Sequence, residues 1–355
     1  MADEAATTQA NRLRLSLAAV DRAVAAHDDG KVLAQMLSFG RQRIAVYAVG
    51  DALWGWFKPV LGHALCPHIS NETVRLAVID HASHPEMIEA ALLAGLPDYP
   101  NFTSIGLPGG LTAAWRSRPE AWELYDPLSR TALFMSAGMS HLHGWERGMP
   151  FARFLHDLVT PTPEGLLHAA AITDGTTGLL LAGAGGSGKS TTTFFSVKHG
   201  FASAGDDLVL VDADERGQVS VSAVYDSLKL VPAALADPAD RDRPWLSLDA
   251  DDPKRITLLS GFSSGTLRRR FPLHAVVLPR IAHAARTTFH RARGSDAFLA
   301  IAPSTQRLFL RGAPELVDKV AKVARRLPAF WLDLGTEAEE VAAAIHDLCR
   351  SLNDG

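Results

Sequence analysis

The chain has 355 residues, 47% of them hydrophobic and 21% charged, with a formal net charge of −4. That length suffices for one large or two medium domains with a sizeable core, and the charge balance argues against a general nucleic-acid binder, which is basic. Cys66 and Cys349 are too few for a disulfide framework, the acidic N-terminus lacks the apolar stretch of a signal peptide, and no uncharged apolar run is long enough to span a membrane; the expectation is a cytoplasmic protein with neither nucleic acid nor membrane as partner.

Residues 1–30 read as a helical N-terminal extension, rich in alanine with apolar residues at helical spacing. Residues 31–149 read as a smaller α/β region. In it "RIAVYAVG" (43–50) and "VRLAVID" (74–80) are strand-like, and "DALWGWFKPVLGHAL" (51–65) is helical, with Asp51 as its cap and Pro59 as a kink. "LTAAWRS" and "RTALFMSAG" add strands. Residues 150–355 form the second domain. It opens with a helix in "MPFARFLHDLVTP" (149–161), followed by "GLLHAAAIT" (165–173) as one strand and "DGTTG" as a turn. The buried strand "LLLA" leads directly into "GAGGSGKSTTT" (183–193), and "KSTTTFFSVKHG" continues as a helix that Gly200 stops. "LVLVD" (208–212) is a further strand, and "EAEEVAAAIHDLCRSL" is a C-terminal helix. There is no internal repeat.

The stretch between strand and helix satisfies G-x-x-x-x-G-K-[ST] at Gly183, Gly188, Lys189 and Ser190. Small residues at Gly183, Gly185, Gly186, Ser187 and Gly188 let successive backbone N–H groups converge on phosphate oxygens, and the start of the following helix adds positive potential. Lys189 is placed to reach the β and γ phosphates, and the Ser190 hydroxyl to ligate magnesium. Among the three threonines, Thr191 is the candidate for an α-phosphate contact; Thr192 and Thr193 read as filler on the helix surface. The cofactors implied are ATP and Mg²⁺; no N-K-x-D guanine-reading motif is present.

Downstream acidic residues decide what happens to the phosphate, and two readings stand. In one, Asp212 at the end of "LVLVD" holds the metal. In the other, Asp206 and Asp207, which precede that strand, divide the labour between metal and proton. "GAGGSGKS" followed by "HGFASAGDD" resembles the HPr kinase/phosphorylase family, P-loop serine kinases related in fold to phosphoenolpyruvate carboxykinase. Gly200 lies eleven residues after the lysine, Asp206 seventeen after it, and His168 fifteen before the first loop glycine, as in that family's pattern. The likeness is good from about 166 to 211 and looser to the C-terminus through "YDSLKL", "DPKRITLL", "PLHAVVLP" and "APSTQRLFLRGA". It is similar there to the shorter relatives that include lasso-peptide precursor kinases. The resemblance implies an α/β P-loop kinase core of the HPr kinase/phosphoenolpyruvate carboxykinase type, with Asp206 as base, Asp207 at the metal and His168 beside the phosphates. It also implies a homo-oligomer. The family's "EVRG"-like signature is absent, so neither HPr as acceptor nor a reverse phosphorolytic reaction is implied.

Cations are also needed on the transferring phosphoryl oxygens. Lys229 in "SLKL" and Lys254 and Arg255 in "DPKR" are the candidates, whereas Arg268, Arg269 and Arg270 read as a solvated face. His63/Cys66/His68, His81/His84 and His141/His143 are close pairs or triples without the spacing of a zinc site. The expected function is ATP- and Mg²⁺-dependent transfer of a phosphoryl group to a hydroxyl, serine above all, on a peptide or small protein, with residues 31–149 as the acceptor-binding region. The alternatives are a nucleotide-sensing regulatory protein without transfer, and a small-molecule kinase.

Overall fold

Near-continuous runs of buried residues build the central strands of an eight-stranded sheet in the first part of the chain. The computed structural model describes residues 2–66, 74–88, 104–115, 121–232, 235–246, 252–309, 314–335 and 337–354. They fall into two units, Met1–Leu158 and Val159–Gly355. The protein is mixed α/β with several sheets. Among the described residues no helix is long and apolar enough to cross a membrane.

The first unit begins with α1 (Ala2–Ser16) and α2 (Ala18–Asp28). It continues through β1 (Leu33–Phe39), β2 (Gln42–Val49), α3 (Asp51–Leu61), β3 (Leu65–Cys66), β4 (Val74–Asp80), β5 (Ser104–Gly106), β6 (Thr112–Trp115), β7 (Ala121–Asp126) and β8 (Thr131–Ser136). α4 (Ala152–Val159) ends it. The strand order is β3-β1-β2-β4-β8-β7-β6-β5, with β2, β4 and β8 parallel and the flanking pairs antiparallel. Because side chains alternate across a sheet, each strand feeds two cores. On one face Leu13, Leu17 and Val20 of the N-terminal helices pack with Ala45, Tyr47, Ala77, Ile79 and Leu133. Residues 1–30 thus cover the sheet. On the other face Phe57 of α3, Phe134 and Phe151 meet edge to face at 4.9–5.3 Å between ring centres. Gly50, at φ 102°, occupies the cap position of α3, and Asp51 is its first helical residue with no side-chain cap bond. The cap therefore falls one residue before the expected Asp51 and is backbone only. Pro59 lies within the helix, which gives way to a tight turn at Gly62.

The second unit carries β9 (Glu164–Leu167), β10 (Ala170–Thr173), β11 (Gly178–Leu181), α5 (Lys189–Lys198), β12 (Ala202–Gly205), β13 (Val209–Ala213), β14 (Val219–Ala223) and β15 (Leu228–Leu230). Then follow α6 (Pro238–Arg241), β16 (Arg255–Thr257), β17 (Arg270–Pro272), β18 (Ala275–Ala284), β19 (Thr288–Ala292), α7 (Gly294–Phe309), α8 (Pro314–Arg326), β20 (Ala329–Gly335) and α9 (Ala338–Asn353). A six-stranded mixed sheet has the order β12-β10-β11-β18-β20-β19, with β11, β18 and β20 parallel, and a four-stranded sheet has the order β17-β14-β13-β9. Leu180 faces a core made with α7 and α8, whereas Leu179 and Leu181 face one made with α9. Both sides of β11 are therefore buried, which is why its sequence is an unbroken apolar run. "GLLHAAAIT" is not one strand: β9 pairs in the four-stranded sheet and β10 in the six-stranded one, and the chain breaks between them at His168. The chain crosses between the same two sheets again after β12, at Asp206 and Asp207.

Candidate functional site

The loop after β11 spans Ala182–Gly188 and delivers the chain into α5, whose first residue is Lys189. Gly188 holds φ 104°, and a Cβ there would come within 2.3 Å of Leu334 Cδ1; a side chain would be excluded both by backbone and by packing. A Cβ on Gly183 would meet Ser187 Oγ at 2.6 Å, so the loop folds tightly upon itself. Gly185 and Gly186 stand exposed at its crest with nothing within 4 Å of a modest side chain. Ser187 Oγ is buried without a hydrogen-bond partner. The Lys189 ammonium curls back over the loop and donates to the carbonyls of Gly183 at 2.8 Å and Ala184 at 3.3 Å. Burial pushes its pKa down; Asp206 and Asp207 oppose this, and Lys254 adds to it. Those four charges are thereby gathered around one point.

Thr191 is exposed in the first turn of α5. Thr192 and Thr193 are fully buried, the latter donating to the Lys189 carbonyl at 3.0 Å, so the expectation of surface filler is wrong for both. Their helix face lies inward because α5 packs on the sheet through residues its own periodicity does not single out. Gly200, at φ 92°, closes the helix as its sequence suggests.

The two aspartates differ. Asp206 is 2% exposed and accepts the backbone N–H of Lys229 at 3.1 Å, but its Oδ1 has no partner. Burial, then the charge of Asp207, push its pKa up to about 7, against the Lys229 amide, the Ser190 hydroxyl and the Lys189 charge. Asp207 is half-buried, and His168 Nε2 stands 3.8 Å from its Oδ1. Burial acts to raise its pKa as well, but His168, Lys229 and Lys189 outweigh it and hold the carboxyl below the ordinary value. His168 reaches the site because it occupies the break between β9 and β10; its backbone N–H is fixed by Thr305 Oγ1 at 3.0 Å, and its Nδ1 is buried without a partner. The inequality of the pair comes from environment: one carboxyl is enclosed and faces Ser190, the other is open and faces a histidine.

Of the expected cations, Lys229 sits on β15 with its ammonium 3.3 Å from Asp252, and its charge is felt at Asp207. Lys254 is exposed and its charge reaches Lys189. Arg255 is exposed at the start of β16, and no contact ties it to these groups. Asp212, the rival metal ligand, lies on β13 and faces Arg270 at 3.8 Å. The structure brings Asp206 and Asp207 beside Lys189 and Ser190. Signals missed in the sequence are Asp252, which pairs with Lys229, and Thr305, which anchors His168; neither lies in a local motif.

Elsewhere, Cys66 Sγ approaches the Met36 carbonyl at 3.6 Å and His68 lies outside the described residues. Among the described residues no group of three or more His, Cys, Asp or Glu side chains is arranged to hold a metal ion. No family model matches the chain, and no curated protein matches it.

Proposed function

We propose that the second unit is a P-loop kinase core that transfers the γ-phosphoryl group of ATP, with Mg²⁺, to a hydroxyl, that of serine above all, on a peptide or small protein. The observation that carries this reading is the unequal carboxylate pair beside Lys189: Asp206 enclosed with a free oxygen, Asp207 open beside His168. A nucleotide sensor needs no such pair. The residues fit the absent groups. The Gly183–Ser187 turn is tight at its base, where a Cβ on Gly183 would meet Ser187 Oγ, and the orphaned Asp206 Oδ1 has the anionic oxygen chemistry that magnesium takes.

When bound, Mg²⁺ and ATP supply the transferable phosphoryl group and a divalent charge on its oxygens. The backbone N–H groups of Gly185, Gly186, Gly188, Lys189 and Ser190 would hold phosphate oxygens, aided by the start of α5, whereas that of Ser187 donates to the Ala184 carbonyl at 3.2 Å. Lys189 exchanges its bonds to the Gly183 and Ala184 carbonyls for phosphate oxygens. The resemblance gives the proton to Asp206, but two contacts favour the reverse division. Asp206 lies against Ser190, and the two together would offer hard oxygens to magnesium. Asp207 is 27% exposed, where an incoming alcohol reaches it, and is ionised and ready to accept the hydroxyl proton. His168 Nε2 orients that carboxylate. Lys229 and Lys254 add positive charge beside the pair. The first unit is assigned recognition of the acceptor.

The test is incubation of the full chain with γ-labelled ATP, Mg²⁺ and a serine-containing peptide library. Acid-stable phosphoserine that is lost in Asp207→Asn supports the reading. Binding of ATP with no label in any peptide points to the sensor, and label in small alcohols alone points to a small-molecule kinase.

A further inference from the structure

Strand β18 outruns its neighbour β11. The two pair from Leu179 to Leu181, opposite Ala275 to Val277, and the Ala182 N–H still donates to the Val277 carbonyl at 2.9 Å. There the chain leaves the sheet to form the glycine-rich loop, while β18 runs on to Ala284, paired on its other side with β20. Successive residues of a strand turn their N–H and C=O groups to opposite edges. Val276 donates to the Pro328 carbonyl on the β20 side and Val277 accepts on the β11 side, so Pro279 and Ile281 also face the β11 side. The Pro279 carbonyl stands 3.8 Å from where a Cβ on Gly183 would lie. Ile281, about 7 Å further along at about 3.3 Å per residue, presents its N–H and C=O past the loop on an edge that no described strand pairs. Its side chain shares a face with Pro279 and with its register partner Leu334, the two residues that pack on Gly188. It is 57% exposed, and among the described residues of the second unit only Leu299 is another large apolar side chain so open. Arg280 turns to the opposite face, where it pairs with Asp333 and lies 4.8 Å from the Trp331 ring centre. The ladder with β20 is bulged between Ile281 and Ala284, with His283 at φ 52°, as strands are beside functional sites.

The sheet order says what reaches this edge. β10 and β12 lie on one side of β11 and β18 on the other. His168 precedes β10 and Asp206 and Asp207 follow β12, all at the end of the sheet where β11 meets the loop. The carboxylate pair therefore approaches the loop from the β10 side. A triphosphate gripped by the loop with its transferable end at that pair leaves its other end toward β18. We propose that Ile281 and the open edge of β18 hold the nucleoside end of the nucleotide. The Ile281 side chain covers one face of the base, and its N–H and C=O bond the base's edge. A base is a flat surface rimmed by donors and acceptors, which matches an exposed branched side chain flanked by one donor and one acceptor. This assignment rests on the reading that the loop binds a triphosphate, and adds to it the residue that distinguishes a nucleotide from a bare polyphosphate.

Calorimetric titration of the full chain and of Ile281→Ser with ATP and with inorganic tripolyphosphate, both in excess Mg²⁺, tests this. Wild type binds ATP at least about tenfold tighter than tripolyphosphate. Ile281→Ser, at an exposed position, weakens ATP by about tenfold, as loss of about two covered methylene equivalents predicts, and leaves tripolyphosphate affinity unchanged. ATP binding no tighter than tripolyphosphate, or Ile281→Ser binding ATP like the wild type, overturns the proposal while the loop reading stands. A variant that loses both ligands equally makes Ile281 a support of the loop and also overturns it. So does a variant that keeps its ATP affinity but sediments as a smaller species than wild type, which makes the side chain a contact between copies. Wild type that binds neither ligand sinks the loop reading itself, and this assignment with it.

Discussion

Replacing Asp206 by asparagine should stabilise the protein, and more so as pH rises. The Asp206 carboxyl is enclosed beside Asp207 and titrates at about 7 in the fold, against 3.8 for the unperturbed group. The folded state therefore holds its proton more tightly than the unfolded chain does. Its contribution is fully present below pH 3.8, is lost as pH rises, and is gone once the folded carboxyl ionises. At about 1.4 kcal/mol per pH unit, the ionised group costs the fold a few kcal/mol above pH 7, more than half of which develops between pH 5 and pH 8. Asparagine carries no such charge. Without nucleotide or magnesium, the advantage of Asp206→Asn over wild type should grow by about 2–3 kcal/mol across that window, or about 5–10 °C in the melting temperature of a unit this size. Scanning calorimetry at pH 5 and pH 8 measures it, and the difference between the two pH values cancels whatever the amide does to packing. An advantage that is the same at both, or a variant that loses stability on going to pH 8, would refute the assignment of an enclosed, reluctant carboxylate.

The same proton governs the metal: Asp206 must release it to ligate, so the Mg²⁺ needed for half-maximal nucleotide binding should fall from pH 6 to pH 8, and a requirement independent of pH removes Asp206 from the metal site. Asp207→Asn and His168→Gln should each reduce transfer by about 10²-fold or more with Mg²⁺·ATP affinity nearly unchanged, read by single-turnover phosphorylation beside calorimetry; a parallel loss of ATP binding would make them binding residues instead. Gly188→Ala should lower stability by about 1–3 kcal/mol in urea titrations and abolish nucleotide binding, because a Cβ strains the backbone at its φ of 104° and would push aside the Leu334 tip 2.3 Å away; a fully stable, ATP-binding variant would contradict the loop geometry.

Much of this was legible along the chain, for identifiable reasons. Strand β11, the glycine-rich loop and α5 follow one another within a short stretch, and apolar residues, glycines and the closing Gly200 each act locally. The acidic pair was readable from its spacing to Lys189. What escaped depends on distant partners. "GLLHAAAIT" is apolar throughout, and nothing in it reveals that β9 and β10 belong to different sheets; that break is what brings His168 to Asp207. The difference between Asp206 and Asp207 follows from which one the Ser190 hydroxyl and the Lys229 backbone N–H enclose, and identical neighbours in sequence give no hint of it. The N-terminal residues read as an extension because the sheet that Leu13, Leu17 and Val20 cover is formed later in the chain. Thr192 and Thr193 were misread because their burial comes from how α5 docks, not from helical polarity.

The central claim is that the loop at Gly183–Ser190 grips a triphosphate through its backbone and Lys189. Isothermal titration of the full chain and of Lys189→Ala with ATP in excess Mg²⁺ tests it most directly. The account predicts one nucleotide per wild-type chain and affinity weakened at least about tenfold in the variant, whose loss of a charge-assisted bond is worth about 1.5–3 kcal/mol. Wild type that takes up no ATP, or a variant that binds it equally well, would contradict the account.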